Sequence, residues 1–126
     1  MTQLKNFITL LALMLSTQVF AAGRTYNQQE FENLVSQGKT VIVHIHADWC
    51  GTCKAQDVQI NAAINAADFK DVTFLEVDYD GQRKAVNFFK TKIQSTIIIF
   101  KNGKEIDRSV AEREAPELQA FLKKAL

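Results

Sequence analysis

Thr40-Val41-Ile42-Val43-His44-Ile45-His46 leads through Ala47-Asp48 into Trp49-Cys50-Gly51-Thr52-Cys53-Lys54. The first seven residues are rich in β-branched side chains and predict a buried strand. Ala47-Asp48-Trp49 is a short loop. From Cys50 to about Ala67, Val58, Ile60, Ala63, Ile64 and Ala67 recur at helical intervals, and neither Pro nor Gly interrupts the run after Gly51. The two cysteines, the only ones in the chain, thus fall where a strand hands over to a helix.

That placement suits sulfur chemistry. A thiolate is the nucleophile in disulfide exchange, so one cysteine must ionise easily. At a helix N-terminus Cys50 meets unpaired backbone N–H groups and the positive end of the helix dipole, which favour the thiolate. Cys53 lies one turn further on the same face, so the sulfurs can meet. The expected division of labour has Cys50 attack a substrate disulfide and the more buried Cys53 resolve the mixed disulfide; the reverse sequence oxidises a dithiol. A bridge closing so short a loop adds little stability, about 2 kcal/mol at best in the chain-entropy model, so a staple is the weaker reading. Trp49, the only tryptophan, can shield the sulfur and offer a partner a flat apolar surface.

Alternating elements extend on both sides. Tyr26–Gln37 predicts a helix with Phe31, Leu34 and Val35 on one face, stopped by Gly38. Val72–Asp78 predicts a strand, Gln82–Phe89 a short helix with Val86 and Phe89 inward, and Thr96–Phe100 an apolar, central strand. Asn102-Gly103 marks a hairpin, and Glu105–Val110 returns as a polar edge strand. Pro116 opens a last helix with Leu118, Phe121, Leu122 and Leu126 on its apolar face.

The chain has 126 residues, enough for one compact domain, with 47 % hydrophobic and 23 % charged residues. Its net charge is +1 with no basic block, which argues against nucleic acid. Residues 1–21 read as a signal peptide: Lys5, then the apolar run Phe7–Leu15, then Val19 and Ala21 at the exit. The apolar run is shorter than a spanning helix needs. Cleavage after Ala21 leaves a domain over residues 22–126 and a periplasmic or secreted protein. Removing residues 1–21 takes away one lysine and no acid, so the remainder carries no net charge.

Trp49-Cys50-Gly51-Thr52-Cys53-Lys54 resembles the active site of the thioredoxin superfamily, and Phe100-Lys101-Asn102-Gly103-Lys104-Glu105 resembles its late hairpin. The likeness runs from about Tyr26 to Leu126 and looks closest to the secreted bacterial branch. It implies an α/β thioredoxin fold, with a central four-stranded mixed sheet flanked by helices on both faces. It also implies dithiol–disulfide exchange with no bound cofactor and no metal. By resemblance the substrate surface is Trp49, Gly51, Thr52, Ser95 and Thr96. The partners implied are protein disulfides or dithiols, and for an exported reductant a membrane electron-donor protein; a monomer is expected.

Three departures stand out. Thr52 occupies a position usually held by proline, which leaves the direction of catalysis open, with a lean toward reductant. Ser95 replaces the family's cis-proline; since a non-proline cis bond costs about 2.5–4 kcal/mol, a trans Gln94–Ser95 peptide is expected. His44 stands where the family has a buried aspartate that assists proton transfer, and an imidazole could do the same near neutral pH. His46 points to the same side of its strand. The alternative function is a copper or zinc protein using His44, His46, Cys50 and Cys53 as ligands.

Overall fold

The computed structural model describes residues 23–126. The expected signal peptide and its cleavage point lie outside these residues. In chain order the elements are β1 (Arg24–Thr25), α1 (Gln28–Ser36), β2 (Val41–His46), α2 (Gly51–Ile64), β3 (Thr73–Asp78), α3 (Arg83–Phe88), β4 (Thr96–Lys101), β5 (Lys104–Val110) and α4 (Ala115–Leu122). Single 3-10 turns follow α2 and α4, at Ala67–Phe69 and Lys123–Ala125.

The strands form one mixed sheet in the order β1-β3-β2-β4-β5. β1, β3 and β2 run parallel; β4 is antiparallel to β2 and β5 to β4. The thioredoxin fold with helices on both faces is as the sequence implies, but the sheet has five strands where four were expected. The addition is β1, too short to show an alternation. It is set by Gly23 at φ +103°, where a Cβ would sit 3.0 Å from the Phe74 carbonyl oxygen. β2 holds the middle of the sheet, and β4 lies inside it, between β2 and β5.

All six residues of β2 are buried, and its two faces serve two different cores. Val41, Val43 and Ile45 pack with Phe31, Val86 and Phe89 on the α1/α3 side. Ile42 packs with Ile60, Leu118 and Leu122 on the α2/α4 side. His44 and His46 share the parity of Ile42 and so enter the second layer as polar groups. Ile97, Ile98 and Ile99 of β4 are fully buried; each such side chain contributes about 1.5–3 kcal/mol relative to exposure.

Local signals end the elements as their chemistry requires. Asn27 caps α1, its Oδ1 accepting from the Glu30 N–H at 2.9 Å. Asn102 and Gly103, at φ 54° and 84°, make the two-residue turn between Lys101 and Lys104. Three expected core positions lie outside. Val58 is 63 % exposed, because the inward stripe of α2 is Cys53, Gln56, Ile60 and Ala63 and Val58 falls off it. Ala67 is exposed, since α2 ends at Ile64. Leu126 is exposed, since α4 gives way to a 3-10 turn in which Ala125 is the buried residue.

Candidate active site

Cys50 is the N-cap of α2, with an extended backbone, and its sulfur accepts the Cys53 N–H at 3.1 Å. A first-turn N–H has no partner within the helix, so the sulfur satisfies a donor that would otherwise need water. Cys50 is 4 % exposed and Cys53 is fully buried. The Cys53 sulfur lies 4.0 Å from the Ile45 carbonyl oxygen, and both cysteines pack with Ala47 and Tyr79. Trp49, by contrast, is 61 % exposed, and its Nε1–H donates to Asp80 Oδ2 at 2.7 Å, tying the loop before Cys50 to the turn after β3. Gly51 is exposed and Thr52 half-buried beside it.

Burial, reinforced by the hydrogen bond with Cys50, pushes the Cys53 thiol up to about 12. A raised acid keeps its proton in the fold after the unfolded chain has lost it, so the folded state binds more protons at high pH and stability falls as pH rises. Reduced protein therefore loses stability between the ordinary thiol range, about 8.5, and pH 12. The disulfide form lacks this component. Urea melts of both redox forms at pH 7.5 and 10.5 check it: the reduced form should lose more. Tyr26, also raised by burial, titrates in both forms and drops out of the difference.

Ser95 precedes β4 with a trans peptide and φ 60°, a left-handed conformation uncommon without glycine. Its N–H donates to the Ile45 carbonyl at 2.7 Å, a bond that proline could not make. Its carbonyl accepts from the Ala111 N–H and from Gln56 Nε2, both at 2.9 Å. The Ser95 hydroxyl turns onto the Gln94 carbonyl, and Thr96 Oγ1 donates to the Ile93 carbonyl. Both side chains are buried, so this loop meets solvent through the residues before them, Lys92 and Ile93, the latter 39 % exposed.

Behind the cysteines lies a polar cluster that the sequence reading reached only in part. Gln56 is fully buried and donates through Nε2 to the carbonyls of Ser95 and Glu112. Its Oε1 therefore accepts, and its partner is His44 Nε2 at 2.8 Å. His46 Nε2 pairs with Asp57 Oδ2 at 2.9 Å, while its Nδ1 lies 3.5 Å from Glu76 and 3.7 Å from Asp48. Burial holds His44 well below the ordinary histidine range despite Gln56 and Asp57, whereas the bond to Asp57 raises His46. Gln56, Asp57 and Glu76 were missed. Cys53, Gln56 and Asp57 fall at i, i+3 and i+4 on one helical face, a spacing that could have found two of them.

The four-ligand set of His44, His46, Cys50 and Cys53 is not assembled. Among the described residues, the group whose candidate ligand atoms lie within 4.8 Å of one another is His44, Asp57 and Glu76, without sulfur.

The family model for thioredoxin matches residues 23–124. Thioredoxin of Chlamydia trachomatis is 32 % identical over 98 residues, covering 78 % of this chain and 93 % of that protein. Thioredoxin of Mycoplasmoides gallisepticum is 33 % identical over 97 residues, covering 77 % and 95 %. Among solved structures, Trxlp from Edwardsiella tarda superposes with a TM-score of 0.75 at 31 % identity, covering 79 % of this chain and 96 % of that one.

Proposed function

Since the chain belongs to the thioredoxin family and is a thiol–disulfide oxidoreductase acting on protein disulfides, we propose that Cys50 is its nucleophile and Cys53 its resolving thiol. The observation behind this is the seat of Cys50 at the start of α2, its sulfur on the Cys53 N–H. The Cys50 thiolate attacks one sulfur of a substrate disulfide, forming a mixed disulfide and expelling the other sulfur as a thiolate, which takes up a proton. Cys53 then loses its proton and attacks Cys50. A Cys50–Cys53 disulfide forms, the mixed disulfide breaks, and two electrons have passed to the substrate.

The high proton affinity of Cys53 fits this order. Burial raises it most, and the hydrogen bond with Cys50 and the charge of the Cys50 thiolate add to that; these two additions fall away once Cys50 is bonded to substrate. The resolving thiol is then easier to ionise at the moment it is needed. His44 takes no step in this scheme: its ring faces Gln56 and Asp57. Trp49, Gly51, Thr52 and Ile93, all at least partly open to solvent, form the surface a substrate meets; Ser95 and Thr96 support it from below.

The finer reading is an exported reductant, acting as a monomer in the periplasm or outside the cell and recharged by a membrane electron donor. It rests on the leader-like residues 1–21 and on the thioredoxin-like hexapeptide. The exchange itself is tested by Cys53→Ala, which removes the resolving step. Protein partners should accumulate on Cys50 as mixed disulfides released by dithiothreitol. A Cys53→Ala chain that collects no adducts from an extract rich in protein disulfides, while wild type turns them over, removes Cys53 from the resolving role.

A further inference from the structure

The hydrogen bonds around His44 leave two acceptors facing each other. The Gln56 amide is oriented by its two donations to carbonyls, so its Oε1 can only accept and His44 Nε2 must carry the proton. In the neutral ring Nδ1 then holds a lone pair. Nδ1 and Asp57 Oδ1 are both buried without a hydrogen-bond partner, and they stand 3.6 Å apart. Neither can donate to the other. Even a doubly protonated ring would be badly served, since an N–H···O bond spans about 2.7–3.2 Å.

A shared cation fits the spacing better. Zinc–nitrogen and zinc–oxygen bonds of about 2.0–2.2 Å at a tetrahedral centre separate neighbouring ligand atoms by about 3.3–3.5 Å. The Glu76 carboxylate comes from the next strand, in register with His44, and His44, Asp57 and Glu76 each offer one ligand atom within 4.8 Å of the other two. We propose that His44 Nδ1, Asp57 Oδ1 and the Glu76 carboxylate form a site for a divalent transition-metal ion of the zinc class, between β2, β3 and α2.

Three further features agree. The bonds from His44 Nε2–H to Gln56 Oε1 and from His46 Nε2–H to Asp57 Oδ2 are the outer hydrogen bonds that orient ligand groups around a metal. Asp48, Asp57 and Glu76 make the neighbourhood anionic, with His46 the nearest counter-charge. Finally, His44 is 2 % exposed while Asp57 and Glu76 keep 25 % and 21 %, so an ion can enter from the carboxylate side. One imidazole and two carboxylates leave a fourth position for water. The site is separate from the sulfurs and does not depend on the exchange reaction.

The test uses the whole chain with Cys50 and Cys53 joined as a disulfide, titrated with zinc and, for its spectrum, cobalt(II). One equivalent should bind. The cobalt complex should show d–d absorption without the thiolate charge-transfer band, and binding should persist in the Cys50→Ser/Cys53→Ser variant. Asp57→Asn and Glu76→Gln should each weaken binding at least tenfold; Asp71→Asn, at an exposed residue before β3, should not. Circular dichroism confirms that each variant is folded before it is titrated. The proposal is overturned by sub-stoichiometric binding, by a cavity that holds only water and takes up neither ion, by loss of binding with the cysteines, or by affinities unchanged in both carboxylate variants.

Discussion

Cys50→Ser lowers the rate of disulfide reduction at least about 10³-fold while the domain stays folded. A serine hydroxyl is a weak nucleophile at its free pKa, whereas a thiol reaches its anion near neutral pH. A loss of that size corresponds to about 4 kcal/mol of barrier. The fold should survive because serine is itself a preferred N-cap. Its oxygen can accept the Cys53 N–H that the Cys50 sulfur now accepts. Reduction of a peptide disulfide, followed as thiol release, measures the rate, and urea melts measure the fold. A variant that keeps a tenth of the wild-type rate would move the chemistry away from Cys50.

Gln56→Leu should cost about 3 kcal/mol of stability, or about 10–20 °C in Tm for a domain of this size. The leucine is apolar and enters a fully buried site, but it withdraws the acceptor of His44 Nε2 and the donor to the Ser95 and Glu112 carbonyls. Ser95 retains the Ala111 N–H, and the carbonyl of half-buried Glu112 lies nearer to water. The uncompensated loss therefore falls on the imidazole, which cannot reach water at 2 % exposure. Thermal melts of the reduced protein decide it; a drop under about 1 kcal/mol would mean that His44 finds another partner.

What could be read from the chain follows the kind of signal each residue gives. The β-branched run of β2, the paired cysteines and Asn102-Gly103 each declare a local geometry, and each took the form expected. β1 gave nothing to read, because two residues have no period; it exists through its register with Leu75 and Glu76 of β3. Ile60 and Ala63 face the core as expected, but Val58 misled because α2 carries Gln56 at an inward position and a valine at an outward one, so hydrophobicity alone does not mark that turn. Asp57 and Glu76 are single acids on a helix and a strand, with no motif around them to mark a site. Only the packing of α2 over β2 and β3 reveals that they converge on the histidines.

Trp49 is the sole indole in the chain, placed next to Cys50 on the outside of the molecule and hydrogen-bonded to Asp80. Intrinsic fluorescence excited at the indole band thus comes from one fluorophore, and that fluorophore is the chain neighbour of Cys50, the proposed nucleophile. Emission can be followed in real time as an optical readout of the site's oxidation state, with neither an attached dye nor an engineered residue.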